Sequence, residues 1–320
     1  MKLKTATVAT FVGMTASAAF AAADEEPKSG GTLTYMIPAD APPSFDAHRE
    51  ETYATIHSAA PFYSVLIRAN PYDPGKTDDL VCDLCTAMPQ PTDGGKTYTF
   101  KIREGVKFTD GSPLTAEDIA ASWNEIIFPP NGVISARQSN FVMVDKVEAT
   151  DPTTVVFRLK FATDAFLPAL ADPYAWIYKK AILDKDSHWY EKNILGSGPF
   201  RFVSHDTGQS IRREGNCQNV VNPLADVGKY LPHSMSNSNY GQFDDPKEIE
   251  MYDRQLRELD QAKQRADLVE FNKYVLDEQA HAIYLLWWQR TVPYRSYVKG
   301  WKIGPSHYVN QDLGTVWLDR

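Results

Sequence analysis

Residues 94–128 read GGKTYTFKIREGVKFTDGSPLTAEDIAASWNEIIF. Tyr98, Phe100 and Ile102 alternate with Thr97, Thr99, Lys101 and Arg103, a period of two that places apolar side chains on one face of a strand. Asp110-Gly111 then marks a turn, because glycine reaches backbone angles closed to other residues. Thr115-Ala116-Glu117-Asp118 has the spacing of a capping box, in which the threonine hydroxyl and the third-position carboxylate satisfy free amides at a helix start. Ile119, Trp123, Ile126 and Ile127 recur at helical spacing, and Pro129-Pro130 ends the run. The stretch therefore predicts strand, turn, strand and capped helix.

Outward from this segment, the composition bounds the class of protein. The chain has 320 residues, 43% apolar and 23% charged, enough to bury a sizeable core in one large domain or two to three small ones. Lys2 and Lys4 precede an apolar run from Ala6 to Ala23 with small residues at its end, the pattern of a cleavable signal peptide over 1–23. No later segment is long and apolar enough to span a bilayer. Removing the peptide leaves 31 basic against 41 acidic residues, a net charge of −10, which argues against nucleic acid or an anionic lipid surface as partner.

The run Thr97-Tyr98-Thr99-Phe100-Lys101-Ile102-Arg103-Glu104-Gly105-Val106-Lys107-Phe108, closing on Asp110-Gly111 and Pro113-Leu114-Thr115-Ala116-Glu117-Asp118, closely resembles the signature of the family 5 extracellular solute-binding proteins, the peptide, nickel and opine receptors of ABC importers. Thr109 stands where that family more often has Ser, Ala, His or Asp. Gly30-Gly31-Thr32-Leu33-Thr34-Tyr35, with the Pro42-Pro43-Ser44-Phe45-Asp46 loop, resembles the family's opening strand and loop. Gly196-Ser197-Gly198-Pro199-Phe200 resembles its turn and strand re-entering the main lobe. Val298-Lys299-Gly300-Trp301 resembles its terminal segment. No cysteine precedes Cys82, so the resemblance implies a receptor free in the periplasm rather than a lipoprotein.

The resemblance implies an α/β fold of the type II periplasmic binding protein kind, with a main lobe plus a small inserted lobe. Pieces of the main lobe would cover 24–50, 166–215 and 283–320, and the inserted lobe 51–165. One departure is large. Arg213-Glu214-Gly215-Asn216 resembles the entrance to a second large lobe, yet Asn216-Cys217-Gln218 through Asn222-Pro223 already resembles its far, cleft-lining end. This second lobe is therefore expected to be largely deleted, with a junction near Gly215-Asn216 and a two-helix remnant over 216–282. Ile249, Tyr252, Leu256 and Leu259, then Leu268, Phe271, Val275 and Leu276, give those helices apolar faces, with Asp260 as the cap between them. With the lobe gone, these faces are expected to be left exposed or to recruit a partner.

The resemblance places ligand contacts at Tyr35, Asn216, Gln218 and at Trp287 or Trp288. The two indoles lie on a short apolar strand, Ile283–Trp288, whose neighbouring side chains point to opposite sides. It implies a peptide-like small solute and an inner-membrane ABC permease as partners, no cofactor and no bond-breaking chemistry. Oligopeptide receptors carry an aspartate for the peptide amine in the later segment; the nearest positions here are Asn219 and Val220. A C-x-x-C pair, Cys82 and Cys85, reads as a disulfide or as two ordinary small residues more readily than as a redox site, since it lies in an extended stretch and not at a helix start. Seven histidines, His48 and His57 among them, show no i, i+4 pair, so no metal is expected, and each reads as a surface or capping residue. Asp244-Asp245 and Glu248 read as a solvated helix start. The reading is thus a periplasmic receptor impaired by loss of a lobe. The alternatives are a dimerising protein using the helical face of 247–280, or a C-x-x-C redox protein.

Overall fold

The computed structural model describes residues 27, 28, 30, 31, 33, 37, 39, 41–203, 205, 227–232, 235, 236, 239, 243–279, 281, 291–304, 306, 308–311 and 313–320. They form a mixed α/β assembly. Helix α1 is Tyr53–Ala59, strands β1 and β2 are Ile67–Ala69 and Leu80–Cys82, and β3 is Thr97–Lys101. Helix α2 is Ala116–Ile127, followed by β4, Val144–Asp151, and β5, Thr154–Leu159. Short helices α3, Phe166–Leu170, and α4, Lys180–Leu183, lead to the longer α5, Pro246–Arg257, and α6, Gln261–Lys273. The chain closes with β6, Val298–Lys299, paired antiparallel to β7, Trp317–Leu318.

The central sheet has the order β3-β5-β4, antiparallel throughout. Its register sets Tyr98 opposite Phe157 and Phe100 opposite Val155, so the alternating residues of β3 meet apolar partners on β5. Helix α2 lies on this sheet. Its Trp123 is fully buried, edge-on to Phe141 at 5.2 Å and to Phe157 at 5.8 Å. Burying an aromatic of this size contributes roughly 4–6 kcal/mol before entropy is charged against it. The helix start is fixed as its spacing requires: Asp118 Oδ2 accepts from Thr115 N at 2.8 Å and from Thr115 Oγ1 at 3.2 Å.

A second regular strand after β3 does not form. The chain turns at Glu104-Gly105, and the segment beyond contributes only a bridge between Lys107 and Pro113. The expected turn is present, with Gly111 N donating to Phe108 O at 2.9 Å and Gly111 at φ 88°.

The expectation that the apolar faces of 247–280 lie open is corrected by the fold. Met251, Tyr252, Leu256, Phe271 and Val275 are buried in the same core as Phe141, Phe157 and Phe166. Tyr252 OH donates to Ser139 O at 3.0 Å, Thr163 Oγ1 donates to Leu256 O at 2.6 Å, and the Arg257 guanidinium lies 4.2 Å from the Phe161 ring centre. The sheet-bearing part of the chain, residues 139–163, covers the face that was expected to need a partner, and its burial removes apolar surface from water. Leu259, just beyond the end of α5, stays well exposed, at 52%.

Candidate functional site

Two buried constellations and one open cleft organise the part of the molecule around the motif. The first constellation ties the 44–50 segment to α2. Asp46 Oδ2 sits 2.9 Å from Arg49 Nε, and Asp46 Oδ1 accepts from Tyr178 OH at 3.2 Å. His48 Nε2 is 2.8 Å from the Trp176 carbonyl, which can only accept, so that nitrogen carries a proton; His48 Nδ1 faces Glu125 Oε2 at 3.2 Å. Arg49 Nη1 reaches Glu191 Oε1 at 2.7 Å. Burial pushes the Asp46 carboxyl above its usual range, against the opposing pull of His48 and Arg49. Arg137 straps the same region, donating to Ala47 O at 2.6 Å, Glu50 O at 2.8 Å and Asp172 Oδ1 at 3.2 Å, 4.3 Å from the Tyr174 ring centre. Asp46, His48, Glu125 and Arg137 are all buried, so this network fixes chain segments and offers no open face to a solute. The reading of His48 and His57 as surface or capping residues is corrected, since both are buried: one in this network, the other tilted against Tyr53 at 3.8 Å.

The motif's turn is itself docked. Thr109 N donates to Gly196 O at 2.9 Å, and Lys179 Nζ meets Asp110 Oδ2 at 2.7 Å. That lysine, with Ser112, holds the Asp110 carboxyl at about 2. Thr109 thus docks through its main chain, a contact that does not involve its side chain. Gly196-Ser197-Gly198 runs beside residues 61–64, with Gly198 N donating to Phe62 O at 2.9 Å and Phe200 N to Pro61 O at 3.1 Å. A Cβ at Gly196 would stand 2.1 Å from Phe62 O, and one at Gly198 2.4 Å from Tyr63 N. Both glycines are required by backbone approach. Ser197 accepts through its carbonyl from Ser64 Oγ at 3.1 Å, in a structural setting.

The second buried constellation lies at the start of α5. Asp245 caps it by accepting from Lys247 N at 2.9 Å and also accepts from Tyr274 OH at 2.6 Å. Glu248 is 0% exposed and faces His281 Nε2 at 2.7 Å, with that imidazole stacked 3.7 Å from Phe243. Burial, with Asp245 beside it, pushes the Glu248 carboxyl up to about 7. The solvated helix start expected at Glu248 is thus corrected, because α5 turns this face inward.

A small cleft with a cavity volume of about 40 Å³ opens where α1, the β1 region and residues 171–176 meet the C-terminal segment 308–311. Tyr63, Trp176 and Tyr308 form aromatic walls; Tyr63 and Trp176 are stacked at 4.5 Å and 7°. Arg68 and Asp83 line it on the β1–β2 side. These residues were not singled out from sequence. The only sign of them was the alternating aromatic run Tyr174-Ala175-Trp176-Ile177-Tyr178, which looks the same as a core strand.

Of the residues expected to contact ligand, Tyr35, Asn216, Gln218, Trp287 and Trp288 lie outside the described residues, as do the junction near Gly215-Asn216, Cys217 and the 1–23 segment. Cys82 and Cys85 are joined by a disulfide, with Cα atoms 5.0 Å apart, Cys85 fully buried and bridged to Ile102. Among the described residues, no three His, Cys, Asp or Glu are grouped so as to hold a metal ion, and no helix is long and apolar enough to cross a membrane.

The model of the bacterial extracellular solute-binding proteins, family 5 Middle, matches residues 79–283. The chain belongs to family 5 of the bacterial extracellular solute-binding proteins. Its fold class is accordingly the α/β type II periplasmic binding protein class. A curated relative, the glutathione-binding protein GsiB of Pectobacterium atrosepticum, is 32% identical over 201 residues, 63% of this chain and 36% of that protein. The oligopeptide-binding protein AppA of Bacillus subtilis is 34% identical over 131 residues, 39% of this chain and 24% of that protein. The solved structure of AppA from Bacillus subtilis in complex with a nonapeptide aligns with TM-score 0.49 and 26% identity, over 57% of this chain and 36% of that one. The chain thus spans about a third of the length of the curated relatives it matches. The family 5 match takes in β2, the whole motif, the central sheet and helices α5 and α6. Family 5 proteins bind solutes, and the family is one of binding proteins rather than enzymes.

Proposed function

We propose that this chain is the periplasmic solute-binding component of an ABC importer, that it takes peptides or a related small solute, and that its grip is weakened by loss of most of a second lobe. The observation that carries the solute-binding role is the family 5 match over 79–283, within which the motif's strand and capped helix form the sheet-bearing core. The names of the relatives, a glutathione-binding and an oligopeptide-binding protein, support a short peptide as the solute class. The cleavable segment at 1–23 and the absence of cysteine before Cys82 support a mature chain released into the periplasm, where an inner-membrane permease would receive the solute.

Binding in a two-lobed receptor comes from hinge closure, which buries the solute and aligns polar groups around it. The weakened grip is supported by the packing of α5 and α6, which spend their apolar faces on residues 139–163. Those side chains are then unavailable to build an opposing wall. Titration calorimetry of the mature full chain with glutathione and with a panel of di- and tripeptides tests this reading. The expected dissociation constants are weaker than micromolar, and a submicromolar constant for any of these would overturn the weakened grip.

A further inference from the structure

The chain holds one Asn-Gly pair, Asn131-Gly132, and two Asp-Gly pairs, Asp93-Gly94 and Asp110-Gly111. In such a pair the glycine nitrogen can close a five-membered ring onto the side-chain carbonyl carbon before it, because glycine carries no Cβ to obstruct the approach. The fold treats the three pairs differently. Asp110 is held: Oδ2 meets Lys179 Nζ at 2.7 Å, and Oδ1 accepts from Ser112 N at 2.9 Å and from Ser112 Oγ at 2.6 Å. Gly111 N is itself engaged, donating to Phe108 O at 2.9 Å. Asp93 Oδ2 accepts from Thr97 Oγ1 at 2.6 Å. Both are also acids, and a carboxylate is a poor electrophile near neutral pH, where it is ionised.

Asn131-Gly132 is placed otherwise. Helix α2 ends at Ile127, and Pro129-Pro130 leads the chain into a tight turn. That turn is closed by Val133 N donating to Pro130 O at 2.9 Å, a bond that does not engage the Gly132 amide. Asn131 and Gly132 are both exposed, Gly132 has φ 83°, and a Cβ built on it would meet no atom within 4 Å. Carboxamide and main-chain nitrogen thus share an open, water-washed surface. The loop is anchored on either side, by Phe128 N on Asn124 O at 2.7 Å and by Ala136 N on His48 O at 3.0 Å.

We propose that Asn131 is a self-modification site, at which the folded chain converts its own carboxamide into isoaspartate and aspartate. The Gly132 nitrogen, after giving its proton to hydroxide, bonds to Asn131 Cγ; the carboxamide C–N bond breaks and ammonia leaves, giving a cyclic imide. Water then opens the ring. Attack at Cγ restores the main chain and leaves aspartate, while attack at the main-chain carbonyl carbon leaves isoaspartate, with the chain rerouted through Cβ and Cγ. The balance is one water taken up and one ammonia released, with no oxidant or reductant. Either product adds a negative charge to a chain that is already net acidic, so an acidic form accumulates with the age of the protein. The site is independent of solute binding.

The test incubates the full mature chain below its melting midpoint, at neutral and at mildly alkaline pH, beside the free peptide acetyl-Pro-Asn-Gly-Val amide. The folded chain is expected to gain an acidic band in isoelectric focusing at a rate within about tenfold of the peptide's, a barrier difference of no more than about 1.4 kcal/mol. Alkaline pH should speed it, fragmentation mass spectrometry should place the change at Asn131, and an isoaspartyl methyltransferase should label the same position. Gly132→Ala keeps the asparagine and obstructs ring closure, and it should slow the reaction about tenfold or more. Asn131→Gln, which would need a larger ring, should show no acidic band over the same period; it decides the matter if Gly132→Ala does not fold. A rate more than about tenfold below the peptide's overturns the proposal. So does an acidic band that persists at the wild-type rate in Asn131→Gln, or isoaspartate that appears at Asp93 or Asp110 as fast as at Asn131.

Discussion

Truncating Leu256 to alanine measures whether the second helical pair belongs to the sheet-bearing core. Leu256 is 1% exposed and lies on the face of α5 that packs on residues 139–163, while Leu259, one turn on, is 52% exposed. Removing three carbons from a buried leucine forfeits roughly 2.4 kcal/mol of transfer free energy at about 0.8 kcal/mol per methylene. The cavity left behind raises the total to about 2.7–5 kcal/mol, depending on how far the site collapses. Leu259→Ala removes the same atoms from an exposed site and should stay within about 0.5 kcal/mol. For a domain of this size each kcal/mol moves the melting midpoint by roughly 2–4 °C, so Leu256→Ala should melt about 5–20 °C below wild type. Urea unfolding followed by circular dichroism gives the free energies, and calorimetry gives the midpoints. Equal small effects for the two leucines would mean that α5 does not pack where Tyr252 and Thr163 hold it, and the placement of α5 in the same core as Phe141 and Phe157 would be wrong.

Other outcomes follow from single contacts. Tyr252→Phe removes the hydroxyl that donates to Ser139 O at 3.0 Å and should cost about 1 kcal/mol in the same urea assay. Gly198→Ala places a Cβ 2.4 Å from Tyr63 N and 2.5 Å from Phe62 C; since backbone cannot yield as a side-chain tip does, a loss of about 3 kcal/mol or more is expected, with poor soluble yield as the first sign. Reduction of Cys82–Cys85 opens a loop of sequence separation three; so small a loop contributes no more than about 2 kcal/mol, and the chain should stay folded in dithiothreitol with a midpoint lowered by a few degrees. Glu248 has its carboxyl raised from 4.5 to about 7 by burial, so its favourable contribution is complete below pH 4.5 and lost as pH rises to 7. His281, held below 6.5 by burial, acts in the opposite sense and masks it. Melting midpoints of His281→Phe should therefore fall between pH 5 and pH 7.5, and those of His281→Phe with Glu248→Gln should hold level.

Part of this fold was legible in the sequence because its causes are local. Thr115 and Asp118 are three residues apart and meet within one turn; Tyr98 and Phe100 alternate within one strand; Asp260 accepts from Ala262 N and Lys263 N immediately beyond it. Each of these needs only the backbone geometry of its own element. The second strand expected beyond the Asp110-Gly111 turn does not form, because only Ser112 to Thr115 separate that turn from the helix start at Ala116, and this stretch makes a single bridge, Lys107 with Pro113.

What was not legible depends on which distant segment arrives. His48 is one of seven scattered histidines until Glu125 comes within 3.2 Å of one nitrogen and the Trp176 carbonyl within 2.8 Å of the other, across 77 and 128 residues of chain. The misreading of α5 has the same origin. Periodicity identified its apolar face correctly through Tyr252 and Leu256, but periodicity is silent on what covers a face. Glu248 sits one turn before Tyr252 on that face, so the surface that closes over the tyrosine closes over the carboxylate as well. A charged residue at such a position is solvated if the helix stands alone and buried if it docks. Its ionisation therefore reports docking directly: a Glu248 carboxyl titrating near 4.5 in the folded chain would mean an undocked α5, and one titrating near 7 requires the packed arrangement described above.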